Sequence, residues 1–237
     1  MPKVAITWLG HSTFHIKLAS GETILIDPWL EGNPSHPKGF RIDRLDLLLV
    51  THGHFDHIAD AVGAAKEFKP TVVANYEVGS WLGSKGVENL SPMNKGGTQT
   101  IAIAGGLKVT MTQAQHSSSI EDNGQTIYGG EPAGYVVGLP DGRAFYHAGD
   151  TCVFSDMQLI RELYRPELAM LPIGDHFTMG PREAALACRF LKPAIVMPMH
   201  YGTFPLLTGT PDALKRLLAD QPETEVVAPA AGQAYLW

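Results

Sequence analysis

Residues 51–57 have the sequence THGHFDH, and this short stretch decides the fold. In an extended segment the side chains at positions i and i+2 point the same way, so His52 and His54 can bind one metal ion together. Asp56 and His57 come at the start of a predicted helix and can face a neighbouring ion. Neutral imidazole and carboxylate groups suit zinc, manganese or iron, whereas calcium prefers a cage of oxygen atoms. The stretch therefore predicts a metal site.

The sequence on either side of this stretch predicts a buried strand followed by a helix. Residues 45–50 (LDLLLV) form a short apolar run that is typical of a fully buried strand. Apolar residues then recur at helical spacing over residues 57–68, which predicts a helix with Asp56 as its N-cap. The histidines thus lie in a loop between a strand and a helix, where functional residues are often placed.

Further ligand-type residues also follow predicted strands. They are His116, Asp150 and His200, after strands predicted over 107–114, 144–147 and 194–198. The polar segment 117–132 is predicted to be a loop. Ligands gathered where several strands end indicate a site on a rigid sheet.

Composition restricts the class of protein. The chain has 237 residues and a formal net charge of −6, and no run of Lys and Arg indicates a nucleic-acid partner. Its two cysteines, Cys152 and Cys188, form no CxxC pair, which fits a reducing cytoplasm and excludes a cysteine-based zinc knuckle. No apolar run approaches the roughly 20 residues of a membrane span, and residues 1–4 do not begin a signal peptide. We expect a single cytoplasmic domain over residues 1–237, without membrane contact.

The histidine stretch resembles the signature of the metallo-β-lactamase superfamily, and the resemblance extends along the chain. The other stretches that carry it are residues 24–28 (ILIDP), 147–151 (HAGDT) and 199–202 (MHYG). Three further stretches resemble a narrower branch, the metal-dependent hydrolases related to ascorbate-6-phosphate lactonase. They are residues 8–12 (WLGHS), 27–29 (DPW) and 173–180 (IGDHFTMG). The resemblance implies an α/β fold, a four-layer αββα sandwich of two mixed sheets flanked by helices.

The resemblance also implies roles for individual residues around two divalent ions. The residues expected to hold the first ion are His52, His54 and His116, those for the second are Asp56, His57 and His200, and Asp150 would bridge both. A water or hydroxide would lie between the ions. Asp27 would hydrogen-bond a ligand imidazole from behind and fix its tautomer. Zinc is the favoured metal, with manganese or iron also compatible with these ligands.

Other residues leave alternatives open. His11 is either a site residue, behind the ligands or against substrate, or a plain turn histidine. Asp175 and His176 lie in a glycine-flanked loop, where one of them protonates the leaving group or contacts substrate, or both have only a loop role. His147 is expected to pack at a strand end, and His15 to face solvent. Aromatic residues near the site could wall a pocket or fill the core, namely Trp29, Tyr201 and Phe204.

The function that follows is metal-dependent hydrolysis of an ester, with a lactone or similar small metabolite favoured. Asp150 is a carboxylate where zinc β-lactamases have a cysteine, which argues against antibiotic hydrolysis. A phosphodiesterase or nuclease is the main alternative, and an iron-dependent redox or non-catalytic metal-binding protein is a further one. Cations near the proposed loops are few (Lys38, Arg41 and Arg182), so a phosphorylated substrate is not inferred. A homo-oligomer remains open.

Overall fold

Two mixed β-sheets dominate the computed structural model, which describes residues 3–237. In spatial order the first sheet contains β15 (Ala234–Leu236), β1 (Ala5–Trp8), β2 (Phe14–Lys17), β3 (Thr23–Ile26), β4 (Leu47–Leu49) and β5 (Thr71–Val73). The second sheet contains β14 (Glu225–Val226), β13 (Ile195–Met199), β12 (Leu168–Pro172), β11 (Ala144–His147), β10 (Ala133–Gly138), β7 (Leu107–Gln113) and β6 (Thr98–Ile101). Each sheet has both antiparallel and parallel neighbours.

The remaining elements are helices and one separate hairpin. The helices are α1 (Phe55–Ile58), α2 (Ala61–Phe68), α3 (Tyr76–Ser84), α4 (Met157–Tyr164), α5 (Pro181–Leu191) and α6 (Pro211–Leu217). The hairpin consists of β8 (Ser119–Asp122) and β9 (Gln125–Tyr128), which pair only with each other. Within residues 3–237, every helix is too short or too polar to cross a membrane.

Three clusters of buried apolar side chains define the layers. The central cluster lies between the sheets and joins Ile6 and Phe14 of the first sheet to Tyr135 of the second. A second cluster packs α4, α5 and α6, including Leu214 of α6, against the other face of the second sheet. A third packs α2 and α3, including Leu82, against the first sheet. The order helix, sheet, sheet, helix confirms the αββα sandwich expected from the sequence.

Burial on both faces explains why β4 and residues 24–26 of β3 are apolar at every position. Side chains alternate between the two faces of a strand, so Ile24 and Ile26 enter the central cluster while Leu25 enters the helix-side cluster. The short run LDLLLV is therefore correctly predicted as a fully buried strand.

The prediction of one helix over residues 57–68 is wrong in one respect, because the structure has two short helices there. α1 ends at Ile58 and α2 begins at Ala61, with Asp60 between them. The Asp60 carboxylate accepts hydrogen bonds from the backbone of Leu30 (2.6 Å) and Glu31 (3.1 Å), which holds this residue out of a continuous helix. Asp56 is not the N-cap, since it lies in the first turn of α1.

The loop predicted over residues 117–132 is also wrong, because it contains the hairpin β8–β9. Its turn is Asn123-Gly124, and both residues have positive φ (52° and 75°). Asn-Gly is a strong hairpin signal because these residues tolerate the left-handed turn that joins two twisted strands. This dipeptide was the available sequence signal.

Tyr135 ties the second sheet to the strand that precedes the histidine stretch. Its buried hydroxyl donates a hydrogen bond to the carbonyl oxygen of Val50 at 2.8 Å. Removing it by Tyr135→Phe is expected to lower the free energy of unfolding by about 1 kcal/mol, as measured by urea denaturation. The control Tyr76→Phe changes an exposed tyrosine and should stay within about 0.5 kcal/mol of wild type. Equal stabilities of the two variants would contradict this role of Tyr135.

Candidate metal centre

The ligand-type residues predicted from the sequence meet at one end of the two sheets. Residues 51–54 form the loop after β4 and residues 55–57 begin α1, and β7, β11 and β13 lead to His116, Asp150 and His200. β7 and β11 both run antiparallel to β10, so they end at the same edge of their sheet. The fold therefore brings side chains that are far apart in sequence into one cluster.

The Asp150 carboxylate is the centre of this cluster. Its Oδ2 atom lies 2.9 Å from Nε2 of His200 and 3.3 Å from Nε2 of His57. Nε2 of His116 lies 3.7 Å away and Nε2 of His52 lies 3.9 Å away. Four imidazoles thus direct a nitrogen at one buried carboxylate oxygen.

Within residues 3–237, three groups of donor atoms are compact enough to hold an ion. The group Asp27, His52 and His57 lies behind the cluster, and the two other groups face the cleft. The first of these two is His52, His54 and His116, and the other is His11, Asp56, His57 and His200. In the first group, Nε2 of His52 and Nδ1 of His54 are 3.1 Å apart. Nitrogen ligands of a tetrahedral zinc ion, each bound at about 2.0–2.1 Å, lie about 3.3 Å from one another. The spacing therefore fits a common ion.

Buried atoms without partners provide a second test of whether a cation fits. Among residues 3–237, Nε2 of His57 and Oδ1 of Asp150 are buried and make no hydrogen bond. Buried polar atoms are normally paired, so orphaned atoms in a native protein call for an explanation. A lone pair on Nε2 that faces a carboxylate is unfavourable unless a cation or a proton lies nearby. The donor set fits a metal ion on this ground.

Asp27 fixes the tautomer of His57 from behind. One oxygen of its carboxylate, Oδ2, accepts hydrogen bonds from Nδ1 of His57 (2.8 Å) and from the Thr51 hydroxyl (2.6 Å). The other accepts from the Thr51 backbone N–H at 2.7 Å. With the proton held on Nδ1, the Nε2 lone pair points into the cluster, as a ligand imidazole requires. Burial lowers the pKa of His57, but Asp150, Asp27 and Asp56 outweigh it and raise the pKa well above its ordinary value.

The contact between Asp27 and His57 gives a direct prediction. Asp27→Asn keeps the shape of the side chain but removes the charged acceptor, so the metal affinity is expected to fall by about 10- to 100-fold. Competition with a fluorescent chelator measures this affinity. Asp46→Asn is the matched control, because Asp46 also accepts a backbone N–H, that of Thr23, but is not one of the clustered donors. Equal affinities of the two variants would contradict the role given to Asp27.

His11 lies inside the site and also in a turn. Its Nε2 is 2.9 Å from Oδ2 of Asp56, and its Nδ1 is 3.0 Å from the Thr203 hydroxyl. Its backbone has a positive φ of 53°, and its carbonyl accepts the backbone N–H of His200 at 2.9 Å. Burial is the main cause that lowers the pKa of His11 to about 4. Burial raises the pKa of Asp56, but His57 and His11 outweigh it and lower that pKa to about 2.

The structure does not bring Asp175 and His176 into the cluster. Both are exposed and have positive φ (69° and 59°), and the Asp175 carboxylate accepts the His176 backbone N–H at 2.8 Å. The next residue, Phe177, is the one that lines the cleft above the cluster. A proton-donor role for Asp175 or His176 stays a prediction.

Two other histidines lie within strands, His15 in β2 and His147 in β11, and both contact the protein outside the cluster. His147 is fully buried, and its Nδ1 accepts the Gly149 backbone N–H at 3.2 Å, which agrees with packing at a strand end. His15 is half-buried, with its ring 5.5 Å from that of Phe40. The prediction that His15 faces solvent is therefore only partly correct, because the Phe40 ring packs against the imidazole.

A cleft of about 710 Å³ opens above the cluster. The predicted ligands at its floor are His54, Asp56, His116, Asp150 and His200, and its apolar walls are Phe55, Phe177, Phe204, Pro205 and Leu206. Ser117, Ser119 and Glu121 line the side formed by the hairpin β8–β9 and the residues before it. Of the three aromatic residues for which the sequence left wall and core open, Phe204 lines the cleft, whereas Trp29 and Tyr201 do not. The sequence did not predict Phe55, Phe177 and Leu206 as wall residues. An isolated apolar residue, in a loop or at the start of a short helix, has no periodicity to reveal its direction.

Comparisons with known proteins match nearly the whole chain. The family described as "Beta-lactamase superfamily domain" matches residues 22–201, which include all seven predicted metal ligands. A UPF0173 metal-dependent hydrolase from Solibacter usitatus is 57% identical over 98% of this chain and 99% of its own. One from Methanopyrus kandleri is 46% identical over 97% and 98%. The solved structure of a metallo hydrolase from Ignicoccus hospitalis is similar with a TM-score of 0.87 and 35% identity, covering 99% of this chain and 98% of that one.

Proposed function

Because the chain belongs to the β-lactamase superfamily, among relatives named as metal-dependent hydrolases, we propose that it hydrolyses an ester at a centre of two divalent metal ions. A lactone or a similar small metabolite is the favoured substrate, and zinc is the favoured metal. The observation that carries the proposal is the convergence of four imidazole nitrogens on one oxygen of Asp150, at 2.9–3.9 Å. A bridging role for Asp150 accounts for this arrangement, since a single ion would need fewer ligands.

The residues of this chain have distinct tasks in the proposed reaction. One ion would be held by His52, His54 and His116, the other by Asp56, His57 and His200, with Asp150 between them. Such a pair supplies Lewis acidity for the carbonyl oxygen and brings the pKa of a water molecule towards neutrality.

Hydrogen bonds from the protein keep these side chains in place before substrate arrives. Asp27 holds the His57 ring, and His11 holds one oxygen of Asp56 at 2.9 Å. His57, Asp150 and His200 are almost fully buried, which strengthens the electrostatic interactions among them. The chain thus prepares a fixed electrostatic environment for the charge that develops on the carbonyl oxygen.

Hydrolysis of a phosphodiester is the competing function, because the same ligands would serve it. Among residues 3–237, the cleft lining includes no Lys or Arg side chain that could neutralise additional phosphate charge. The net charge of −6 also disfavours a long nucleic-acid substrate. These observations support a small, uncharged ester over a nucleic acid.

Metal content and substrate scope together test the proposal. Protein loaded with zinc should contain about two ions per chain by elemental analysis and should hydrolyse δ-valerolactone. Removal of the metal with a chelator should abolish turnover, and added zinc should restore it. A bis-aryl phosphodiester should be a poor substrate by comparison. Turnover of the phosphodiester alone would favour the competing function, and a protein that binds no metal under loading conditions would overturn the proposal.

A further inference from the structure

Large apolar side chains are exposed around the mouth of the cleft. Phe55, Phe177 and Leu206 are 55%, 52% and 53% exposed, and they come from α1, from the loop after β12 and from the loop after β13. Exposed leucines and phenylalanines scattered singly need no explanation, but three that border one cleft form a contiguous apolar surface. Such surfaces usually mark a place where an apolar partner or ligand binds.

This apolar surface continues inward to the metal ligands through a chain of ring contacts. The Phe55 ring packs edge-on against Trp29 at 5.5 Å between centroids, and Trp29 stacks on Phe204 at 5.7 Å. Trp29 is almost fully buried and also contacts the His11 ring at 5.2 Å. The wall is therefore supported from below, and an apolar group placed against it would lie beside the reacting centre.

The opposite side of the cleft carries negative charge. Glu121 lies on β8, where its carboxylate accepts a hydrogen bond from the Thr126 hydroxyl at 2.7 Å. Asp56 and Asp150 at the floor are the proposed metal ligands, so Glu121 is the acidic group that would stay free to face a substrate. Cationic side chains do not line the cleft in the part of the chain that the structure describes. A substrate with an anionic tail would meet repulsion at Glu121 and would find no ion pair in return.

We propose, on the basis of the proposed function, that the substrate is an uncharged lactone or ester with an apolar chain or ring, which binds against Phe55, Phe177 and Leu206. In the reaction, the oxygen of water bonds to the carbonyl carbon and the carbon–oxygen bond of the ester breaks. The departing oxygen takes a proton and becomes a hydroxyl group, and the new acid loses a proton to become a carboxylate.

Two lactones that differ only in an alkyl chain test the apolar wall. δ-Decalactone carries a pentyl group that δ-valerolactone lacks, and each methylene that becomes buried should improve kcat/KM by about three- to fourfold. Partial burial of the chain leads us to expect a ratio of kcat/KM values, δ-decalactone over δ-valerolactone, of at least about tenfold. Leu206→Ala should reduce this ratio about threefold to tenfold. Leu159→Ala removes a leucine of similar exposure (51%) on α4, outside the cleft, and should leave both rates unchanged.

A charged analogue tests the acidic side. A lactone of the same length as δ-decalactone that ends in a carboxylate should have a kcat/KM at least about tenfold lower than that of δ-decalactone. Glu121→Gln should reduce this difference between the two kcat/KM values. Equal rates for the neutral and carboxylate-bearing lactones, or equal rates for the long and short lactones, would overturn the inference while leaving ester hydrolysis intact.

Binding of lactams separates the inference from the proposed function. The lactams that correspond to the two lactones are hydrolysed far more slowly, so their binding to metal-free protein can be measured by calorimetry. Tighter binding of the long lactam, weakened by Leu206→Ala, would support the apolar wall even if no lactone is turned over. Turnover of neither lactone would instead overturn the proposed ester hydrolysis. Equal binding of both lactams would overturn the apolar preference.

Discussion

Replacing Asp150 with alanine is expected to lower kcat/KM for lactone hydrolysis on the order of 10³-fold and to reduce the bound metal to well below that of wild type. The carboxylate is buried and lies within 3.9 Å of four imidazole nitrogens, so no neighbouring side chain can take its place. Under the proposed function, the two groups of ligands would then lose the carboxylate that lies between them. Elemental analysis and steady-state kinetics on the same preparation measure both effects.

Two further variants define what the Asp150 result means. Asp150→Asn keeps the volume and one neutral oxygen, so it should retain more metal than Asp150→Ala while losing most of the activity. Asp156→Ala removes an exposed aspartate just before α4 and should leave metal content and kinetics unchanged. Full activity in Asp150→Ala would mean that the reaction takes place without this carboxylate. Loss of activity with unchanged metal content would limit its role to the chemical step.

Gly149→Ala is expected to destabilise the protein by about 3 kcal/mol, the largest effect on folding that we anticipate. Gly149 has a φ of +62°, which an alanine adopts at a cost of about 1–2 kcal/mol. A Cβ atom there would also lie 2.5 Å from the Ala133 carbonyl oxygen and 3.0 Å from the Thr51 side chain. Backbone atoms of β10 cannot move without disturbing the sheet, so overpacking adds about 1–3 kcal/mol.

A matched glycine separates the two causes of this loss. Gly124 has a similar φ of +75°, but a Cβ atom there would meet nothing within 4 Å. Gly124→Ala should therefore lower the free energy of unfolding by only about 1–2 kcal/mol. Urea denaturation of both variants measures the difference, which represents the close approach of Gly149 to Ala133. Equal losses would show that backbone conformation alone accounts for the effect. Because Asp150 follows directly, weaker metal binding in Gly149→Ala is a further expectation.

The sequence was sufficient for the strands that lead into the metal centre. Runs such as residues 24–26, 47–49 and 168–172 are apolar throughout because both faces of each strand are buried, so their positions are visible without tertiary information. The predicted ligands follow these or similar strands, and their convergence needs only the rule that such strands end at a common edge. The histidine spacing and the strand ends therefore predicted the cluster together.

The parts that the sequence did not predict depend on contacts between distant segments. The interruption between α1 and α2 comes from Leu30 and Glu31, whose backbone N–H groups bind the Asp60 carboxylate. The sequence near Asp60 does not indicate these partners, which are about 30 residues away. The apolar wall of the cleft was not predicted for a similar reason. Phe55 in α1 and Phe177 in the loop after β12 are single apolar residues, and their direction depends on how distant segments pack. Local propensity predicts the conformation of one segment, whereas the helix interruption and the apolar wall depend on contacts between two segments.

The hairpin β8–β9 offers a place where selectivity can be redesigned independently of the catalytic frame. It pairs only with itself, so changes near its tip break no hydrogen bond in either large sheet. Its anchor is Ile120, which is buried in the space left by the missing side chain of Gly53, between His52 and His54. An engineer who keeps Ile120 and varies Glu121 could replace the acidic side of the cleft with a basic one. The hairpin could then favour anionic substrates, while the loop of residues 51–54, which carries His52 and His54, keeps its conformation.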